Sequence, residues 1–237
     1  MNLNEYFDQI YLVSLPERSD RRKNFIKKSY KNINFPCINF YKAISGKTLA
    51  NKNYEVAEIY GVGQLGCLLS HRNILVEASK NNFKRILIFE DDVEIKNNFL
   101  ACLEETLNIV GEDWDILYFG GNLEDENGSH VVEINGKQIL RITRSLRTHA
   151  YAINSRIFQK IIDFSEKLHL PIDEVYAAHQ KDLKVYKNLT DSCGLAGGYS
   201  DICEIYVTRS FKDTIFSIPS RLNNLKIKIK RKFLHTD

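Results

Sequence analysis

At 237 residues the chain is longer than one small core needs and shorter than two full domains, so one domain with an irregular tail is expected. Hydrophobic residues at 43% and charged residues at 27% exclude both a disordered chain and a bundle of membrane spans. A disproportionate share of the net charge of +3 sits after Arg221, in Lys226, Lys228, Lys230, Arg231 and Lys232, which leaves the body closer to neutral, without a broad basic surface for nucleic acid.

The five cysteines, Cys37, Cys67, Cys102, Cys193 and Cys203, are odd in number and lack CxxC spacing. No cleavable leader precedes them, so reduced thiols in a cytoplasmic protein are expected. No apolar run approaches the roughly 20 residues that cross a bilayer, and any membrane contact is therefore peripheral.

Residues 10–15 are strand formers halted by Pro16, after which Arg18, Asp20, Arg21 and Arg22 open a charged segment leading into a helix at Phe25 and Ile26. A second short strand over 40–44 ends at Ser45-Gly46. Gly61, Gly63 and Gly66 surround the start of a helix predicted from Gln64 to Asn81-Asn82, with Leu68, Ile74, Leu75 and Ala78 at helical spacing. Residues 86–89 form the clearest strand, and it runs directly into Glu90-Asp91-Asp92. A helix over 98–110 and a strand over 115–119 follow. Strands alternating with helices predict an α/β fold with a single, mainly parallel sheet flanked by helices.

Asn135-Gly136, between apolar runs at 131–134 and 139–142, predicts a hairpin added to that sheet. Beyond it come a strand over 150–153, a helix over 155–168 capped by Ser155 and stopped by Pro171, and a last strand over 183–186. Gly194, Gly197 and Gly198 predict a mobile loop over 191–200. In the tail, Leu222, Leu225, Ile229 and Phe233 recur at helical intervals among lysines, which predicts a basic amphipathic helix suited to an anionic membrane surface. The same stripe would serve packing on the domain or on a second copy, so the oligomeric state stays open. The chain thus divides into a domain over 1–220 and a tail over 221–237.

The acids Glu90-Asp91-Asp92 carry the chemistry, because carboxylates at the carboxyl end of a central strand sit where open α/β sheets bind ligands. Alternation puts Glu90 and Asp92 on one side and Asp91 on the other. Two neighbouring acids repel unless a cation compensates, and a hard divalent ion between them and a diphosphate is a sensible solution. The alternative is a solvated strand end that caps the next helix. His71, in the helix after the glycines, is either a site residue or a buried histidine satisfied by a backbone carbonyl. The glycines spell neither a dinucleotide fingerprint nor a Walker motif. Arg18, Arg21 and Arg22 offer guanidinium forks suited to phosphoryl oxygens, or else form a solvated helix start. His149 or Tyr151 would line an acceptor side, and Asp173, after Pro171 in a constrained loop, would deprotonate an incoming hydroxyl if within reach. A satisfied core histidine and a solvated loop acid are the bland readings of these last two.

Taken in order, residues 10–15 with Arg18 and Arg21-Arg22, Ala43-Ile44-Ser45-Gly46, residues 63–71, residues 86–93, Asp113-Trp114-Asp115 to Gly120, residues 148–153 and Pro171-Ile172-Asp173 resemble glycosyltransferase family 25. This family comprises lipooligosaccharide galactosyl- and glucosyltransferases and is similar to collagen glycosyltransferase domains. The resemblance implies an A-type glycosyltransferase fold, inverting transfer of a hexose, galactose ahead of glucose, from a UDP-sugar donor to a lipid-linked oligosaccharide acceptor, and manganese, with magnesium as the alternative. It implies Asp92 as metal ligand, with Glu90 as a second ligand or ribose partner. Leu15, Arg18, Arg22, Gly46, Gly66, Ser70, His71, Glu90 and Asp91 would form the donor site, and His149 and Asp173 the catalytic side. Glu90 departs from the aspartate of the commonest metal motif, and residues 193–200 have no counterpart in the resemblance. Two other classes compete: a metal-dependent phosphoesterase or nuclease using the acids with His71 and His149, and a non-catalytic sugar-binding module. The histidines lack HxH or HExxH spacing, which weakens the first.

Overall fold

A computed structural model of the chain describes residues 3–33, 38–50, 53–120, 122–123, 128–202 and 205–207. The predicted tail helix and the thiols of Cys37 and Cys203 lie outside the described residues. A short helix α1 (Leu3–Tyr6) precedes strand β1 (Gln9–Ser14), helix α2 (Ser19–Lys28) and strand β2 (Asn39–Lys42). Helices α3 (Glu55–Tyr60) and α4 (Val62–Lys80) lead to β3 (Arg85–Glu90), β4 (Val93–Ile95), α5 (Phe99–Val110) and β5 (Ile116–Tyr118). The short β6 (Asn122–Leu123) is followed by β7 (Ser129–Ile134), β8 (Lys137–Ile142), β9 (Ser145–Leu146) and β10 (Ala150–Asn154). The chain continues through α6 (Phe158–Ser165), α7 (Ile172–Ala177), β11 (Val185–Lys187), β12 (Cys193–Leu195), β13 (Gly198–Ser200) and β14 (Ile205–Val207).

Eight strands form the main sheet in the order β2-β1-β3-β10-β5-β11-β8-β7. Following the pair directions across it, six strands point one way and only β10 and β8 run against them, so the α/β, mainly parallel expectation holds. Both faces are buried, which is why the central strands read as continuous apolar runs. Tyr11, Val13, Ile86, Ile88, Ile116, Tyr151 and Ile153 face a core completed by Leu65, Leu68 and Leu75 of α4 and Ile161 of α6. Ile10, Leu12, Leu87, Phe89, Leu117 and Ala152 face the other core, with Phe25 of α2 and Phe99 and Leu103 of α5. The chain leaves β1 for β2 on one side and reaches β3 on the other. The carboxyl ends of β1 and β3 therefore flank a topological switch point, where such sheets open a crevice.

The hairpin is as expected: Asn135 at φ 53° and Gly136 at φ 75° are the two left-handed residues of a type I′ turn joining β7 to β8. The Asp113-Trp114-Asp115 motif is architectural. Trp114 is fully buried, and Asp115 accepts from the Lys184 amide at 2.8 Å, tying β5 to the segment entering β11.

Three local expectations change. Asn154, one residue before Ser155, accepts from the Arg156 amide at 3.2 Å and caps a 3-10 turn (Ser155–Ile157) that leads into α6. Pro171 opens α7 rather than leading from the preceding helix into a loop, so Asp173 sits in the first turn of a helix, where the fixed φ of proline suits a helix start. Residues 191–200 hold two short strands: β12 pairs antiparallel with β4 and β13 with β14. Among the described residues, no helix is long and apolar enough to cross a membrane.

Candidate functional site

The pleat decides where each acid goes. Ile86, Ile88 and Glu90 share the face toward α4, while Leu87, Phe89 and Asp91 share the face toward α2. Glu90 Oε1 accordingly lies 3.4 Å from His71 Nε2 of α4 and accepts from Thr148 Oγ1 at 2.8 Å. Burial opposes ionisation of Glu90, but His71 and Thr148 outweigh it and hold the carboxylate below its ordinary range.

Asp91 is buried on the α2 side, where Ser14 Oγ donates to it at 2.7 Å and Arg21 Nη1 at 2.8 Å. Burial pushes its pKa up against the pull of Arg21. The strand has ended by Asp92, and the turn swings this residue back so that Arg21 Nη1 also reaches its Oδ2 at 3.3 Å. Arg21 thus bridges Asp91 and Asp92, a pairing that simple alternation does not give. Asp92 still feels Glu90: burial first, and then that negative charge, raise it to about 7. Its Oδ1 is buried with no hydrogen-bond partner. An orphaned carboxylate oxygen beside a second, repelling carboxylate fits a divalent cation with oxygen ligands.

The opposite wall forms where the loop after β2 meets α4. Gly46 and Gly66 let the loop after β2 touch α4 without side chains: a Cβ on Gly66 would stand 2.4 Å from Ile44 O, and one on Gly46 would stand 1.7 Å from Val62 O. Ser70 Oγ fixes this contact, accepting from Ile44 N at 2.8 Å and donating to Gly66 O at 2.7 Å. Between these walls lies an open cleft of about 840 Å³ lined by Leu15, Gly46, Ser70, His71, Glu90, Asp91 and Asp92.

Other residues named from the sequence fall around this cleft. Arg18 bonds Asp20 at 3.0 Å and ion-pairs with Asp201, which itself lines the cleft after β13. The Arg22 guanidinium is engaged elsewhere, clasping Ser14 Oγ at 2.9 Å and Pro16 O at 2.8 Å, so it shapes the exit of β1. His149 does not line the cleft. Its carbonyl accepts from Glu90 N at 2.9 Å, while its buried ring has no hydrogen-bond partner on either nitrogen and is pushed down to about 4 by burial. Asp173 is not among the residues that line the cleft, and it accepts from the amides of Glu174 at 3.0 Å and Arg147 at 3.4 Å. Arg147 has φ 79°, an uncommon backbone for arginine, next to Thr148. Burial raises the Asp173 pKa, and the neighbouring charge of Glu174 adds to it. The same helix reaches the cleft through Tyr176, whose hydroxyl meets Tyr151 at 3.0 Å, and Tyr151 meets His71 Nδ1 at 2.9 Å.

The profile described as "Glycosyltransferase family 25 (LPS biosynthesis protein)" matches residues 7–176. The chain belongs to glycosyltransferase family 25. The match spans every element that builds the cleft except the segment carrying Ser200, Asp201 and Ile202. Mouse "Inactive glycosyltransferase 25 family member 3" is 29% identical over 71% of the chain and 31% of its own length. Mouse "Procollagen galactosyltransferase 2" is 26% identical over 85% of the chain and 35% of its own length. The chain therefore spans about a third of these curated relatives. Among solved structures, a glycosyltransferase involved in the glycosylation of the major capsid of PBCV-1 aligns at TM-score 0.38 and 11% identity, over 76% of the chain and 91% of its own.

Within this family 25 fold, the sequence put Arg21 among three arginines suited to phosphoryl oxygens and Cys67 and Thr148 within segments of the resemblance, without singling out any of the three as a site residue. Arg21 was one of three nearby arginines, and only helix phase separates it from Arg22. Cys67 precedes His71 by one helical turn, a spacing that was readable. Asp201 carried no local signal, since it meets Arg18 across 183 residues of chain.

Proposed function

We propose that the chain transfers a hexose, galactose ahead of glucose, from a UDP-sugar to a lipid-linked oligosaccharide of the lipopolysaccharide type, with inversion at the transferred carbon. The observation that supports it most is the acid cluster at the carboxyl end of β3, beside that of β1, in a cleft closed on its other side by the loop after β2 and α4, in a member of glycosyltransferase family 25. Leu15, Gly46 and Ser70 would shape the donor pocket, with Gly66 setting the close approach of the loop after β2 to α4 that positions them. Arg18 and Arg21 would exchange part of their carboxylate pairing for diphosphate oxygens.

Asp92 and Glu90 are the residues that would hold a divalent cation, manganese ahead of magnesium. When bound, such an ion supplies charge neutralisation for a departing diphosphate. Asp173 would accept the proton of the acceptor hydroxyl as that oxygen bonds to the sugar carbon and the bond to the diphosphate oxygen breaks. Its burial raises proton affinity in the direction a base requires. His149 would support the acceptor side from behind β10. The basic stripe over 221–237 would bring the domain to an anionic, lipid-bearing surface on the cytoplasmic side.

The test is a screen of UDP-sugars with truncated lipid oligosaccharide, scored by UDP release with and without manganese. Acceptor-dependent release from UDP-galactose or UDP-glucose is expected. UDP binding without turnover would instead favour a non-catalytic sugar-binding role, a reading motivated by the relative named inactive.

A further inference from the structure

Cys67 and His71 lie one turn apart on α4 and so share one face of the helix, the face that meets Glu90 at the end of β3. One ligand atom from each of the three residues lies within 4.8 Å of the others. A tetrahedral ion with bonds of roughly 2.0–2.3 Å needs its ligand atoms about 3.3–3.8 Å apart. His71 Nε2 and Glu90 Oε1 already stand at 3.4 Å. We propose that Cys67, His71 and Glu90 form a binding site for a thiophilic divalent cation of the zinc class at the floor of the cleft.

A second observation is independent of the clustering. His71 is 1% exposed, yet its Nε2 has no hydrogen-bond partner, because the approach to Glu90 lacks hydrogen-bond geometry. A buried ring nitrogen without a partner carries a desolvation cost that a metal bond removes. The surroundings are those of a supported ligand set. Tyr151 holds His71 Nδ1 at 2.9 Å and is itself held by Tyr176, and Thr148 Oγ1 donates to Glu90 Oε1. A bound cation would select the tautomer with Nδ1 protonated toward Tyr151, leaving the Nε2 lone pair for the ion, and such outer partners orient metal-binding histidines.

The donor set selects the ion. A thiolate with imidazole favours zinc over manganese or magnesium, which prefer all-oxygen ligands. Cys67 lines the open cleft, so an ion can enter and a fourth position faces solvent or substrate. Both this site and the hard-cation position proposed at Asp92 use Glu90, and they therefore exclude one another. That exclusion rests on the sugar-transfer reading; the zinc site does not.

The experiment titrates the reduced full-length chain, freed of metal with a chelator, with zinc chloride by calorimetry and with cobalt chloride by absorption. One zinc per chain and a thiolate-to-cobalt charge-transfer band are expected. Cys67→Ser should remove the band and weaken zinc by at least about 10–100-fold, the range seen when even outer partners are lost. Cys102→Ser and Cys193→Ser should keep both signals. Asp92→Asn should keep zinc binding while losing manganese, which separates this site from the hard-cation one whatever the outcome of the sugar screen. Tyr151→Phe, which alters no ligand, should weaken zinc and shift the cobalt spectrum. Absence of stoichiometric zinc, or a band and affinity that survive Cys67→Ser in a chain melting cooperatively by circular dichroism, overturns the proposal. If Cys67→Ser does not fold, Glu90→Gln takes its place, and unchanged zinc affinity in that variant overturns it equally.

Discussion

Replacing Asp92 by Asn should stabilise the metal-free protein even as it removes activity. Burial and the charge of Glu90 raise Asp92 from 3.8 to about 7. Between these two values the folded chain binds more protons than the unfolded one, so stability falls as pH rises through the window and the loss is complete above pH 7. At 1.36 kcal/mol per pH unit the cost at pH 8 is at most about 4 kcal/mol. The carboxylate keeps a quarter of its surface in solvent and is partly neutralised by Arg21, which reduces this to about 2 kcal/mol. Asparagine has the same shape without the charge, and Arg21 keeps its bond to Asp91 at 2.8 Å. Urea denaturation of both chains in chelator should therefore show the variant more stable at pH 8 and nearly equal at pH 4. Manganese should stabilise the wild-type chain and leave the variant unmoved, since a ligand that binds only the folded state adds to its stability. A variant less stable than wild type at pH 8 without metal, or a difference that does not change with pH, would refute the reasoning.

Asp173→Asn should bind UDP normally by calorimetry yet transfer sugar at least about 100-fold more slowly at saturating donor, as for loss of a general base; a collapse of donor affinity would move Asp173 into the donor site. Gly66→Ala should lose about 1–3 kcal/mol in urea denaturation and widen the gap between α4 and the loop after β2, because the added Cβ would stand 2.4 Å from Ile44 O. His149, lowered by burial from 6.5 to about 4, should make the protein acid-sensitive: the unfolded chain binds the extra proton, so stability falls as pH drops from 6.5 toward 4, by about 3 kcal/mol in all. His149→Gln should flatten that limb of the stability profile, and an unchanged limb would assign the acid sensitivity to other groups.

Much of this arrangement was readable because it follows from periodicity. An apolar run with β-branched residues fixes β3, and period two then sends Glu90 to α4 and Asp91 to α2. Asn135-Gly136 fixes a hairpin through the backbone its turn demands. The misplacements share another origin. Residues 193–195 form a strand only because β4, about 100 residues earlier, offers an edge, and the flanking glycines hide that pairing. Pro171 reads equally as the end of one helix and the start of the next, and α7 follows because Ile172, Val175 and Tyr176 find a core to fill. Arg21 and Arg22 are alike in type, and only their phase on α2 sends one to the acids and the other to the strand exit.

These two kinds of information meet at Glu90. Its face is set locally, but its partners, His71, Thr148 and Asp92, come from a helix, from the approach to β10 and from a turn. Each pulls differently: His71 and Thr148 favour its charge, and Asp92 resists it. A stable fold with no bound cation would more simply place a neutral residue at position 90 or 92, since removing one charge removes the repulsion at no cost to either apolar core. That both acids stand here, with an orphaned oxygen on one and an orphaned imidazole nitrogen beside the other, is the pattern of a site whose electrostatics are completed from outside the chain. Arg21 offsets only part of that imbalance, because one of its nitrogens is shared between Asp91 and Asp92 and the other is already committed to Tyr199 O. The remaining negative charge faces the cleft, where a cation would find it.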